Sequence, residues 1–313
     1  DLMYDKMVKF VEGNASSPFF LMWTTTVPHS AVQAPADEVK YYVDKLGDEE
    51  PCTNPGMYLP NRYPHATYAA MVTHIDTQVG KLVEKLKDLG VWDNTIFIVS
   101  SDNGPASNGN SPMEYFQSGG PFKCGKGWGK SSLHEGGIRM PFILHWGNNK
   151  NCGRITRMSS FADLMPTLAE IAGVNAPEND GVSFAPTVLA ETRGGQRYAK
   201  ANDMILAPQR DHEYLYWEFP ASKGWVAVRM GEWKGIVRKV LKGNSEMELY
   251  NLNDDPQEQN DVAASHPEII REIHLEYIKA RADIIESNTF SANKISQKEY
   301  LLTAEMIPAP MPI

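Results

Sequence analysis

Apolar residues recur at helical spacing at the start of the chain, at Leu2, Met3, Met7, Phe10 and Val11, and Gly13-Asn14 closes the run. Pro18-Phe19-Phe20-Leu21-Met22-Trp23 follows, a short unbroken apolar stretch that predicts a buried strand. Thr24 to Gln33 reads as the loop leaving it, and residues 34–63, rich in Pro, Gly and charge, read as an irregular excursion. From Pro64 the spacing of Met71, Ile75, Val79, Leu82, Val83, Leu86 and Leu89 predicts a long helix that stops at Gly90. Ile96-Phe97-Ile98-Val99 predicts a second buried strand, so strand, helix and strand read as a βαβ unit of a parallel sheet. Residues 106–139 form a long Gly-rich loop, and Pro141 to Trp146 predicts a third strand. A short helix over 162–173 has Asp163 as its cap, Pro166 in its first turn and Gly173 at its end.

The texture changes after a turn-rich stretch at 174–212. Tyr214–Phe219, Trp225–Arg229, Trp233–Arg238 and Glu248–Tyr250 are short aromatic segments separated by tight turns such as Met230-Gly231-Glu232. They predict a small antiparallel sheet. A last helix over His266 to Glu286 carries Ile269, Ile273, Tyr277 and Ile284 in one stripe, and a Pro-rich tail follows. The pattern divides the chain into an α/β domain over 1–205 and a small α+β subdomain over 206–313.

Composition narrows the function. Of 313 residues, 42% are hydrophobic, and seven Trp and thirteen Tyr argue for a packed core. A net charge of −9 argues against a nucleic-acid partner, which needs a basic face. No apolar run has the length of a membrane span, and residues 1–9 do not form a signal peptide. Cys52, Cys124 and Cys152 are too few to frame a disulfide scaffold, and none stands in a Cys-x-x-Cys pair.

Ser101-Asp102-Asn103-Gly104-Pro105 lies at the C-terminal end of the second predicted strand, where α/β sheets bind ligands. Asp102 and Asn103 offer one anionic and one neutral hard oxygen, a set suited to calcium or magnesium, although Asp-Asn-Gly-Pro is also ordinary turn chemistry. His29, just past the first predicted strand, has the side chain of a general acid. Lys123, Lys126 and Lys130 stand in a Gly-rich loop that can hold an oxyanion through N–H groups and ammonium charge. The loop is not a phosphate-cradling P-loop, because the spacing G-x-x-x-x-G-K-[ST] fails. Glu135-Gly136-Gly137-Ile138-Arg139 reads mainly as structural, and so do His65, His74 and His145.

Taken in order, these segments resemble the sulfatase family of the alkaline-phosphatase-like superfamily. The resemblance runs from Pro18-Phe19-Phe20-Leu21 and Pro28-His29 through Tyr68-Ala69-Ala70-Met71, Asp76 and Asp93-Asn94-Thr95. Its most specific parts are Ser101 to Pro105 and Glu135-Gly136-Gly137-Ile138-Arg139-Met140-Pro141. Asp163 to Leu168, Asp180-Gly181-Val182-Ser183, Trp233-Lys234, Glu248 to Leu252 and Asp255-Pro256 continue the series.

The resemblance implies an alkaline-phosphatase-like mixed sheet flanked by helices, plus a small C-terminal antiparallel sheet with a helix. It implies that Asp102 and Asn103 are calcium ligands, that His29 protonates the leaving alcohol, and that Lys130 binds the sulfate oxygens, with Lys126 as the alternative. It implies a sulfated small molecule or glycan as substrate and a periplasmic, secreted or lysosomal setting. The family's formylglycine forms from Cys/Ser-x-Pro/Ala-x-Arg, and no such motif occurs here. Nor do the early Asp pair that completes the calcium site or a Gly-Lys-Trp-His-type segment. The chain is therefore expected to be the C-terminal portion of a sulfatase, inactive alone and partnered by an N-terminal segment of the same protein. Its sheet should then keep an exposed edge and apolar faces. Two rival readings are a phosphatase or phosphonate hydrolase of the same superfamily and a non-catalytic remnant that binds sulfated glycans. Asn103, where two-zinc phosphatases favour His, suits a single hard cation better.

Overall fold

The computed structural model describes residues 2–53, 59–107, 111–147, 153–193, 196–201, 204–205, 208–221 and 223–279. The chain divides into two compact units. The first comprises residues 1–120, 124–130 and 139–148, and the second residues 121–123, 131–138 and 149–313.

In the first unit, α1 (Leu2–Asn14) and α3 (Pro64–Asp88) share a core through Met7, Val11, Leu82 and Leu86. Pro64 opens α3, where its missing N–H costs nothing, and the Glu49 carboxylate accepts the next two N–H groups, from His65 at 2.8 Å and Ala66 at 3.0 Å. Gly90 ends it at φ +70°. The predicted irregular excursion contains a further helix, α2 (Ala36–Leu46). It packs along α3 through a 2.6 Å bond between the Tyr42 and Thr73 hydroxyls and a 2.9 Å contact between His74 Nδ1 and Glu38.

The strands of this unit differ from the pattern's prediction. β1 (Ile96–Ser100) and β2 (Phe142–Trp146) form, but as an antiparallel pair in the register Ile98↔Leu144. Residues 18–23 carry no ladder, because a strand exists only through a paired neighbour and none lies beside them among the described residues. Their side chains still alternate. Phe19, Leu21 and Trp23 pack on the α1/α3 core, whereas Phe20 and Met22 are 71% and 73% exposed. Ile143 of β2 is exposed as well.

In the second unit the aromatic segments form the predicted sheet. β6 (Leu215–Phe219), β7 (Trp225–Met230), β8 (Trp233–Arg238) and β9 (Met247–Asn251) are antiparallel and adjacent in that order. Gly231, at φ +54°, makes the tight β7–β8 turn. On one face lie Leu133, Ala227, Ile236, Tyr250 and Leu252. On the other, Ile269, Ile270 and Ile273 of α7 (Pro267–Lys279) pack on Val228 and Leu249. The rest of the predicted last helix and tail lies outside the described residues. Before this sheet come α4 (Glu135–Ile138), α5 (Leu164–Ala172) and α6 (Ala185–Leu189). Three short strands, β3 (Ala190–Arg193), β4 (Gln196–Ala201) and β5 (Met204–Ile205), stand where the pattern indicated only turns. The turn before α5 has Ser160 as the cap, with Asp163 closing the reciprocal half of a capping box. The Asp163 carboxylate also accepts from Val182 N–H (2.9 Å) and meets His212 Nε2 (2.7 Å).

A charged cluster fixes the β-sheet of this unit to α4. Fully buried Lys234 on β8 places its ammonium 2.8 Å from Glu135 and 3.1 Å from Glu258. Glu258 in turn accepts the Glu135 backbone N–H at 2.6 Å, and Arg229 approaches Glu135 at 3.4 Å. Two buried carboxylates share Lys234, so removing it takes a cation from both and leaves Arg229 beside Glu135. Lys234→Met, which conserves volume, is expected to cost about 3–5 kcal/mol in denaturant unfolding. Exposed Lys242→Ala should stay within about 0.5 kcal/mol.

Candidate functional site

The candidate residues of the first unit sit on two loops and on the segment after residue 23. β1 ends at Ser100, whose hydroxyl donates to Pro141 O at 2.8 Å, and the chain turns at once through residues 101–105. Ser101 Oγ donates to Asn103 O (3.1 Å), and Asn103 Nδ2 donates to Gly104 O (2.9 Å). The amide nitrogen of Asn103 is thereby committed, which leaves its Oδ1 as the donor atom for a cation. Asp102 beside it is exposed. These two hard oxygens fit a calcium or magnesium ion but fall short of the six to eight oxygens calcium takes. Among the described residues no group of three or more His, Cys, Asp or Glu could hold a metal.

Lys130 is joined to this turn. Its N–H donates to Pro105 O at 2.7 Å, which closes the long loop back onto the 101–105 segment. Gly129 makes the closure possible. A Cβ there would lie 2.4 Å from Pro105 O and 2.5 Å from Met113 Sδ, closer than real contacts allow. The approach to Gly129 is a tight turn, with Trp128 N–H donating to Gly125 O at 2.9 Å and with Gly125 and Gly127 at positive φ. Lys126 lies exposed in that turn, whereas Lys130 is half-buried beside Pro105.

His29 lies on a different segment, just past residues 18–23. It follows the Val27-Pro28 bond, its N–H donates to Thr26 O (2.8 Å), and its ring is exposed. Nδ1 lies 3.0 Å from Ser30 O, which can only accept. Nδ1 therefore carries the proton in the neutral ring, and Nε2 is the nitrogen left for chemistry. Among the described residues no hydrogen bond joins His29 to Asp102, Asn103 or Lys130.

The sequence pattern included Pro105 in a motif but gave no role to its carbonyl, and it did not single out Gly129, because both act through one contact across the loop. It also passed over an aromatic group in the same unit, in which His65 stacks on Tyr115 and Phe116 stacks on Tyr68. Burial raises the Tyr68 phenol above its ordinary pKa.

The Sulfatase family model matches residues 1–174, which carry every one of these candidate residues. This chain belongs to the sulfatase family. Human N-acetylgalactosamine-6-sulfatase is 29% identical over 257 residues, covering 77% of this chain and 44% of that protein. N-acetylgalactosamine-6-O-sulfatase of Bacteroides thetaiotaomicron is 25% identical over 303 residues, covering 90% and 51%. Among solved structures, Ps i-CgsB matches with a TM-score of 0.68 and 25% identity over 96% of this chain and 58% of that one. The same protein is also known in complex with k-i-k-neocarrahexaose. These likenesses place the chain in the alkaline-phosphatase-like α/β fold, and it spans about half the length of the curated relatives it matches. A second family model, homocysteine S-methyltransferase, matches residues 239–309. That match begins between β8 and β9 and so cuts a paired sheet in two; it carries no argument about this fold.

For the sulfatase loop, Gly129→Ala is the direct test of the Pro105–Lys130 closure. Overpacking at this contact is expected to destabilise the chain by about 1–3 kcal/mol. Amide hydrogen exchange should accelerate at Lys130, whose N–H would lose its acceptor, while exchange in β6–β9 stays unchanged.

Proposed function

We propose that this chain supplies His29, Asp102, Asn103 and Lys130 to an active site that hydrolyses sulfate monoesters, with aryl or carbohydrate sulfates as substrates and a calcium ion as cofactor. The observation that carries this reading is the 2.7 Å hydrogen bond from Lys130 N–H to Pro105 O. It ties Lys130, half-buried in the Gly-rich loop, to the turn bearing the two hard-oxygen donors. A lysine seated on this turn next to two hard-oxygen donors can supply positive charge to the oxygens of a sulfate ester, which share a single negative charge.

The roles follow from chemistry. Asp102 and Asn103 Oδ1 hold the divalent cation, whose part is to neutralise charge on the ester oxygens. Lys130 adds a fixed positive charge against the same oxygens, where a preorganised charge stabilises the transition state more than the ground state. His29, with its Nδ1–H held by Ser30 O, gives the leaving alkoxide a proton from Nε2 when the ring is the doubly protonated imidazolium, and is left neutral with its proton on Nδ1. The family's formylglycine supplies the nucleophile, and Cys52, Cys124 and Cys152 all stand outside the Cys-x-Pro/Ala-x-Arg motif from which it is made. The sulfated sugars named for its relatives, N-acetylgalactosamine 6-sulfate first among them, are the substrates to try first.

Activity is to be measured on the product of the complete coding sequence containing these residues, against a panel of sulfated monosaccharides and an aryl sulfate. Lys130→Ala is expected to lower kcat/KM by about 100- to 1000-fold, the scale of losing one oxyanion contact. Lys126→Ala should change it by less than about 3-fold, since an exposed charge is screened. Chelation should abolish turnover and added calcium restore it. The 313-residue chain alone should show none, and measurable turnover by it would mean that the reaction does not use formylglycine. Equal losses from Lys126→Ala and Lys130→Ala would transfer the role to the exposed turn.

A further inference from the structure

The loop that ends at Lys130 also carries an aromatic surface for which the proposed chemistry has no use. His65 sits in the first turn of α3 with its imidazole fixed, since Glu49 accepts its backbone N–H and lies 2.9 Å from its Nδ1. Tyr115 lies flat on that imidazole, with ring centroids 3.8 Å apart and an interplanar angle of 8°. Phe116 buttresses the pair edge-on, 4.8 Å from Tyr115 and 6.2 Å from His65, and itself stacks on Tyr68. The backbone beneath is a hydrogen-bonded turn, with Tyr115 N–H donating to Pro112 O and Ser118 N–H to Met113 O, both at 3.0 Å.

Tyr115 is nevertheless 48% exposed. One face of its ring is covered by His65, so the exposure belongs to the opposite face and the hydroxyl rim. A large aromatic ring presented this way has already lost its rotamer freedom, and a ligand that stacks on it has little ordering left to impose. The partner chemistry is that of a flat body with an apolar face and a polar rim. Nucleobases fit poorly on a chain of net charge −9, and a sugar ring, with C–H groups on its face and hydroxyls around it, fits both face and rim.

The surface lies close in the chain to the packing around Gly129. Met113 packs where a Cβ on Gly129 would stand, and the Cys124 thiol donates to Met113 O at 3.7 Å. Tyr115 follows Met113 by two residues, at most about 8 Å of chain. The turn that presents the stacked ring thus begins at the residue that packs on Gly129.

We propose that the exposed face of Tyr115, backed by His65, is a carbohydrate subsite that stacks a sugar ring adjoining the sulfated one, and so favours sulfated oligosaccharides over sulfated monosaccharides. It rests on the sulfatase reading of Lys130 and deepens it. The platform needs no charge on the ring it receives, so it reads a neighbouring unit of the chain and leaves the sulfate to Lys130.

The test is calorimetric titration of the 313-residue chain with sulfated carrageenan and glycosaminoglycan hexasaccharides and with their sulfated monosaccharides. Tyr115→Ala is expected to weaken hexasaccharide binding about 10-fold and leave monosaccharide binding unchanged, whereas Tyr115→Phe, which keeps the ring, stays within about 2-fold. Circular dichroism and amide exchange of the 111–118 turn separate loss of the ring from loss of the turn. Lys130→Ala should weaken both ligand classes alike. Hexasaccharide affinity unchanged in Tyr115→Ala, or reduced equally for monosaccharides, overturns the subsite while leaving the Lys130 reading intact. Weakening by Tyr115→Ala with no effect of Lys130→Ala keeps the subsite and removes the sulfatase reading beneath it.

Discussion

One backbone hydrogen bond, from Lys130 to the carbonyl of Pro105, joins the Gly-rich loop to the turn that carries Asp102 and Asn103. Lys130 sits at the end of a long Gly-rich loop, and a lysine on such a loop would otherwise be a solvated charge with no fixed address. The bond returns it to the turn that begins at the end of β1. It exists because residue 129 has no side chain, and the space a Cβ would take is filled by Pro105 O and Met113 Sδ. Packing, backbone geometry and charge placement thus converge on a single glycine, and substitution there acts through space more than through backbone strain.

The second unit solves a different problem, that of joining a short segment to a sheet. Lys234, Glu135 and Glu258 are drawn from β8, α4 and the loop after β9, and all three are buried. Such a cluster adds little net stability over an apolar replacement, but losing one member leaves buried charge short of a partner. Asp163 plays a comparable part before α5, where one carboxylate closes a capping box and also holds Val182 and His212. Here charge specifies position, while the aromatic and aliphatic residues of β6–β9 and α7 supply the burial.

How much of this was legible in the sequence depends on the range of the interaction. The three-to-four spacing from Met71 to Leu89 announced α3, and the alternating aromatics around Met230-Gly231-Glu232 announced the antiparallel sheet, because both patterns are local. Residues 18–23 have the composition of a strand but no partner among the described residues, and strand formation is never a property of one segment. The α2 helix was hidden by the prolines, glycine and charges around it, although Val39, Tyr42, Val43 and Leu46 carry its apolar spacing. Asp102, Asn103, His29 and Lys130 could be picked out through their motifs and the family they resemble. Gly129, the role of the Pro105 carbonyl and the His65–Tyr115 stack could not, since each matters through a contact with a residue remote in the chain.

The measurement closest to the central claim is calcium-dependent hydrolysis of sulfated monosaccharides by the product of the complete coding sequence, compared between the wild type, Asp102→Ala and Lys130→Ala. The account predicts turnover in the wild type that requires calcium and falls at least about 100-fold in each variant. Turnover that survives both substitutions, or that is indifferent to chelation, would contradict it.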